Sequence, residues 1–270
     1  MRKAFLLVLL ISAIAAASKY FVVFAEPQES IEKLTNDALL TTLAPNINEA
    51  IIHHYGYPKQ FALYGSKVLE IKRESEGGYS FTVKIEVTTF EQAHSNPYGT
   101  ETITFNVSPK GVKLISFAHK GDEWELKMEK FKDEVLEDIF KTFNLDLSSF
   151  EKFEYPQLAY QSEQGRFKSL NKISEEIQKD LMRDYNPGTG YKNFIAPITF
   201  VKDNRAYILF KKADGTNCIY TVSHVQGNWR VIKKESKQGK KMPQDLLWYM
   251  AAYRRSLRSV RNSFPCLPSG

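Results

Sequence analysis

Between Tyr79 and Val87 every second residue is apolar, with Tyr79, Phe81, Val83, Ile85 and Val87 separated by Ser80, Thr82, Lys84 and Glu86. A strict period of two predicts a strand with one buried face and one wet face. Leu69 and Ile71 mark a strand before it, and Ile103, Phe105 and Val107 repeat the alternation after it. Ser108-Pro109-Lys110-Gly111 has turn chemistry, so Val112–Phe117 should return as the next strand of a meander. Upstream the period changes. Ile31, Leu34 and Ala38 follow Ser30 at helical spacing, Pro45 predicts an interruption, and Asn46 with Glu49 predicts a restart. Ile47, Ala50, Ile51 and His54 share one face of that helix, which places His54 at the edge of the core, and Gly56 and Pro58 close it.

The second half carries the same sequence of signals. Phe131, Val135, Ile139 and Phe143 form one helical stripe, and Leu170, Ile173, Ile177 and Leu181 form another, stopped by Asn186-Pro187-Gly188. Short strands follow at Ile198–Val201, Ala206–Lys211, Cys218–Ser223 and Trp229–Lys233, with hairpin turns at Asp203-Asn204, Asp214-Gly215 and Gln226-Gly227-Asn228. The expected class is α+β: two tandem helix-plus-antiparallel-meander modules of cystatin-like or NTF2-like plan. The expected boundaries are 1–25 for a leader, 26–125 and 126–242 for the two modules, and 243–270 for a basic helix and tail.

The leader is predicted from Arg2-Lys3, the apolar run Ala4–Ala17, and a small-x-small site at Val23-Phe24-Ala25, with an earlier one at Ala15-Ala16-Ala17. Cleavage after Ala25 gives a secreted or envelope-facing chain; an uncleaved membrane anchor is the other reading. The whole sequence has 37 Lys and Arg against 31 Asp and Glu. The leader holds three of the basic residues and no acid, so the remainder carries +3 and gives no reason to expect a nucleic-acid partner. That small excess is unevenly placed: ten basic residues lie between Asn228 and Asn262 against Glu235 and Asp245.

Tyr55-Gly56-Tyr57-Pro58, Val68-Leu69-Glu70-Ile71-Lys72-Arg73, Val87-Thr88-Thr89-Phe90-Glu91 and His94-Ser95-Asn96-Pro97-Tyr98-Gly99 form a recognisable series, continued by Glu101-Thr102-Ile103-Thr104-Phe105. From about Leu34 to Phe117 the chain resembles a domain of unknown function (number 3888) found in exported proteins of spore-forming Gram-positive bacteria. The resemblance implies export and an envelope setting. It brings no catalytic residues.

Candidate chemistry is sparse. Neither Gly-x-Ser-x-Gly nor His-Glu-x-x-His occurs, and nothing in the sequence implies a cofactor. Glu49 and His53, one helical turn apart, are the candidate metal ligands, with no third ligand indicated. His94, in a loop with Glu91 nearby, is the candidate for acid/base chemistry in a secreted hydrolase. The plainer reading of that loop is a tight turn packed by Tyr98. Cys218 and Cys266 are candidates for a disulfide tying the tail to a strand, two thiols being the other reading. After Pro243, Leu246, Met250, Tyr253, Leu257 and Val260 form one stripe flanked by Arg254, Arg255, Arg258 and Arg261. That helix either docks on its own domain or meets an anionic envelope polymer or membrane surface. The functional expectation is a non-enzymatic binding or interaction module.

Overall fold

The computed structural model describes residues 29–91, 95–183 and 195–242. The predicted leader, His94, the Asn186–Gly188 stop, Cys266 and the C-terminal helix with Arg254, Arg255, Arg258 and Arg261 lie outside them. The chain divides into two units, residues 1–39 and 40–270. In the first, Ser30 Oγ accepts from Lys33 N at 3.2 Å, the expected cap of helix α1 (Ile31–Tyr55). The second unit holds two antiparallel sheets and the remaining helices, so the class is α+β.

Helix α1 does not break at Pro45, contrary to the sequence expectation. Pro45 is exposed, and so is Thr41, whose carbonyl a non-proline residue would have bonded. Water is therefore at hand where the ladder loses its donor, while Leu43, Ile47, Ala50 and Ile51 hold the other side buried. Gly56, at φ +76°, closes the helix in the left-handed conformation that favours glycine.

Strands β1 (Gln60–Arg73), β2 (Phe81–Glu91), β3 (Ser95–Ser108) and β4 (Gly111–Gly121) form a meander in chain order. Val83, Ile85 and Val87 of β2 face inward opposite Phe105, Ile103 and Glu101 of β3. Tyr55, at the end of α1, bonds Thr89 and Glu101 of the same inward rows, which puts α1 on that face. The meander and its covering helix thus follow from the period-two and helical patterns. Strand β1 departs from regularity: its partners on β2 jump from Ala62↔Thr88 to Lys67↔Glu86, so Leu63–Ser66 leave the ladder, and a second shift follows between Val68 and Glu70.

Helix α2 (Glu123–Phe143) is fixed at its start by Asp122. Its Oδ1 accepts from Trp124 N and Glu125 N at 3.0 and 2.9 Å, and its Oδ2 accepts from Tyr98 N at 3.0 Å on β3. Beyond α2 come β5 (Glu151–Phe153), α3 (Tyr155–Glu163), α4 (Lys168–Arg183), β6 (Ile195–Lys202), β7 (Arg205–Lys211), β8 (Thr216–Val225) and β9 (Asn228–Gln238). The five strands pair in chain order. Among the described residues, and unlike the first sheet, this one is covered on both faces. Leu158 of α3 and Leu170 and Ile177 of α4 pack with Ala206, Ile208 and Val222 on one side. Phe131, Val135 and Ile139 of α2 pack with Ile198, Leu209 and Ile219 on the other. A strand buried on both faces reads as a continuous apolar run, which is why Ile195–Val201 and Ala206–Phe210 do not alternate as the first sheet does. Among the described residues, no helix is long and apolar enough to cross a membrane.

Candidate functional site

At one end of the first sheet the inward rows turn from apolar to polar. On β2, Val87 is followed two residues on by Thr89; on β3, Ile103 is preceded by Glu101 and Gly99; on β4, Phe117 is followed by His119. Glu101 is completely buried (0 % exposed). Its Oε1 accepts from Tyr55 Oη at 2.6 Å and Thr89 Oγ1 at 2.7 Å, and its Oε2 lies 3.0 Å from His119 Nδ1. On the other side of the ring, His119 Nε2 is 2.9 Å from Glu125 Oε2 in the first turn of α2. That oxygen accepts no hydrogen bond among the described residues, so the contact is close but lacks hydrogen-bond alignment. Lys59, buried just after α1, places Nζ 3.4 Å from Glu125 Oε1, 3.8 Å from Glu91 Oε1 and 4.4 Å from the centre of the Tyr55 ring.

Two glycines make room for this cluster. Gly99 on β3 and Gly121 on β4 are partners in register, one pair beyond Glu101↔His119 by inward row. A Cβ on Gly99 would collide with Glu101 Oε1, sit 2.5 Å from Thr89 Oγ1 and 2.8 Å from Tyr55 Oη; one on Gly121 would collide with Glu125 Oε2. Gly99→Ala should therefore cost about 1–3 kcal/mol by forcing buried polar groups apart, read as a lower urea midpoint at unchanged m.

The burial of the cluster shows in its titration. Burial, with the hydrogen bond to Glu101, holds the Tyr55 phenol far above its ordinary pKa, so it stays a neutral donor. Burial also raises the Glu91 carboxyl, against the pull of Lys59. His54 sits at the cluster's margin as an exposed residue with its ring stacked on Phe117 at 4.6 Å, and burial of that ring lowers its pKa. The stripe places His54 at the edge of the core, where its ring meets those of Phe117 and His119.

Beside the cluster, between the end of α1 and β1, lies an open cleft of about 610 Å³ lined by Asn48, Pro58, Lys59, Gln60, Phe61, Ala62, Leu63, Tyr64 and Phe90. Lys59 belongs to both features. Tyr64, on the bulged stretch of β1, stands 83 % exposed at the rim.

The residues singled out in the sequence fall elsewhere. Glu49 and His53 are both exposed on α1 and outside the cluster, and no group of three His, Cys, Asp or Glu among the described residues has a metal-holding arrangement. Glu91 joins the cluster through Lys59, whereas His94 lies outside the described residues. Cys218 is buried on β8, where burial pushes its thiol up to about 11. Sequence reasoning missed Tyr55, Lys59, Thr89, Glu101, His119 and Glu125. The available signal was polar residues continuing an apolar period-two row.

Residues 35–120 match the family described as protein of unknown function (DUF3888), about a third of the chain. Tyr55, Lys59, Thr89, Glu91, Glu101 and His119 all fall within the matched stretch, and Glu125 just beyond it. No curated protein and no solved structure matches the chain.

Proposed function

We propose that this protein is a non-enzymatic interaction module, exported from the cell, that receives an extended segment of a macromolecular partner in the cleft between α1 and β1. The observation that carries this reading is the bulge at Leu63–Ser66, which opens the cleft and presents Tyr64 at its rim. Bulges redirect side chains beside sites of recognition, and exposed aromatic residues are the usual anchors of interfaces. The cleft's volume lies within the roughly 300–1,000 Å³ of ligand sites. Its openness suits a chain lying across it better than an enclosed small molecule. The neighbouring cluster favours binding over catalysis. Among the described residues, both nitrogens of His119 face carboxylates of the chain itself, and Tyr55 and Thr89 are both bonded to Glu101. Export rests on the apolar leader and its small-x-small sites. A helix against a four-stranded meander supports the cystatin-like or NTF2-like reading by analogy of plan alone. The basic residues from Arg230 to Arg261 would hold such a module near an anionic envelope polymer or membrane surface.

Panning a displayed peptide library against the full chain tests the proposal. Selected peptides should perturb the amides of residues 58–64 and lose about tenfold or more in affinity against Tyr64→Ala. A library that yields no binder, or binders indifferent to Tyr64→Ala, would sink it.

A further inference from the structure

We infer that His119 is a protonation-dependent latch, joining the first turn of α2 to the first sheet and, through Lys59, setting the floor of the cleft. The inference rests on the binding reading only for the role of the cleft. The latch itself rests on geometry: His119 stands between two carboxylates carried by different elements, Glu101 on β3 and Glu125 on α2.

The two sides of the ring are unequal. Glu101 cannot retreat, since it is completely buried and Tyr55 and Thr89 hold its other oxygen. Glu125 can. Its Oε2 has only the unaligned 2.9 Å contact to Nε2, and its Oε1 meets Lys59 at a long 3.4 Å. An unaligned contact is held by charge alone, so it lasts only while the ring is cationic.

Among the described residues, the charged and titratable groups around the ring are Glu101 from β3, Glu125 from α2, and Tyr55 and His54 from α1; Tyr55 Oη lies 3.1 Å from Nδ1, and the His54 ring is centred 5.3 Å away. Lys59 and Glu91 stand one step further out. With His119 protonated, its ring and Lys59 together answer Glu101, Glu125 and Glu91, with Lys132 also acting on Glu91. Once the proton leaves, Lys59 is the cation left beside Glu125 among the described residues. The remaining N–H stays on Nδ1, where Glu101 accepts it, and the Nε2 lone pair then faces Glu125. The carboxylate turns away toward water, and Lys59 loses its nearer partner. The ring's 22 % side-chain exposure gives the proton a route to solvent. The latch is therefore closed at the acid end of the titration and open at the alkaline end.

Nitrogen-resolved imidazole spectra of the full chain, from about pH 5 to about pH 9, test this. The ring of His119 should pass from doubly protonated to the Nδ1–H tautomer. The amides of Lys59, Gln60, Glu125 and Leu126 should shift with the same midpoint. In His119→Gln that shared transition should vanish. Should that variant fail to fold, Glu125→Gln carries the test: the ring still titrates, but the α2 amides no longer follow. A ring that titrates while those amides stay still in the unaltered protein overturns the latch, as does an Nε2–H tautomer at high pH. The binding reading fails separately: a shared transition in a protein that takes no panned peptide removes the cleft's role and leaves the latch standing.

Discussion

Glu101→Leu should lower the free energy of unfolding by about 3–5 kcal/mol, the range found when one partner of a buried charged pair is removed. Leucine fills most of the space but accepts nothing. The Thr89 hydroxyl, itself fully buried, and the Tyr55 phenol lose the acceptor that holds them at 2.7 and 2.6 Å. His119 loses the carboxylate on Nδ1 and keeps Tyr55 Oη, 3.1 Å from Nδ1, and the unaligned contact to Glu125. Each buried donor left without an acceptor costs about 1–3 kcal/mol, so three such losses are enough for the predicted effect even after some rearrangement. Glu101→Gln separates charge from shape. Its amide oxygen can still accept from Tyr55 and Thr89, but its amide nitrogen then faces His119, so its loss should fall between the wild type and Glu101→Leu. Urea unfolding followed by near-ultraviolet dichroism gives both values. A Glu101→Leu protein within about 0.5 kcal/mol of the wild type would mean that the cluster is not a fixed feature of the fold.

Much of the first sheet was legible because it has one wet face. Tyr79–Val87 and Ile103–Val107 announced β2 and β3 by period, and Ser108–Gly111 announced their turn onto β4. The same rule concealed the site. Glu101 and His119 occupy inward positions, and a polar residue at the end of an apolar row looks like the end of the strand. Only the partnership across strands, Glu101 with His119 and both with Tyr55 from a helix 46 and 64 residues away in sequence, shows that the row continues as a buried polar network. In the second sheet the difficulty was different. Helices cover both of its faces, so the strands lose their alternation, and the three-residue β5 is too short to leave a period at all. Helix α3 was missed for its length as well: nine residues beginning Tyr155-Pro156, with Leu158 as the buried anchor. Pro45 is no stop to α1 because it lies on the exposed side of the helix, where water is at hand for the bond the ring removes.

Asp138→Asn should cost about 3–5 kcal/mol for the opposite reason: it leaves a buried cation, where loss of Glu101 leaves unpaired donors. Lys211 on β7 is 1 % exposed, and its ammonium donates to Asp138 Oδ2 of α2 and to Asn217 Oδ1 of β8, each at 2.7 Å. The same Oδ2 accepts from Asn217 Nδ2 at 2.8 Å and from Lys240 N at 3.1 Å, so one carboxylate joins α2, the sheet and the segment after β9. Asparagine keeps the acceptor but removes the charge, which leaves the buried ammonium facing neutral acceptors only, Asn217 Oδ1 among them. Asp138→Asn combined with Lys211→Met should recover most of the loss, because a buried pair replaced by apolar volume is often neutral or better. A double variant as unstable as Asp138→Asn would show that the acceptor contacts of Asp138, and not the stranded charge, set the cost. The pH dependence gives an independent check. Burial pushes the Asp138 carboxyl up, but the hydrogen bonds from Lys211, Asn217 and the Lys240 amide, with the Lys211 charge, outweigh it and hold the pKa below its ordinary value. A carboxyl depressed in the folded state contributes stability that is complete above its unfolded pKa, near 3.9, and is lost as pH falls through the folded value. The wild type should therefore lose stability through this group below about pH 4, and Asp138→Asn should show a shallower acid limb over the same range. Parallel acid limbs in the two proteins would place the acid sensitivity of the fold in other carboxylates.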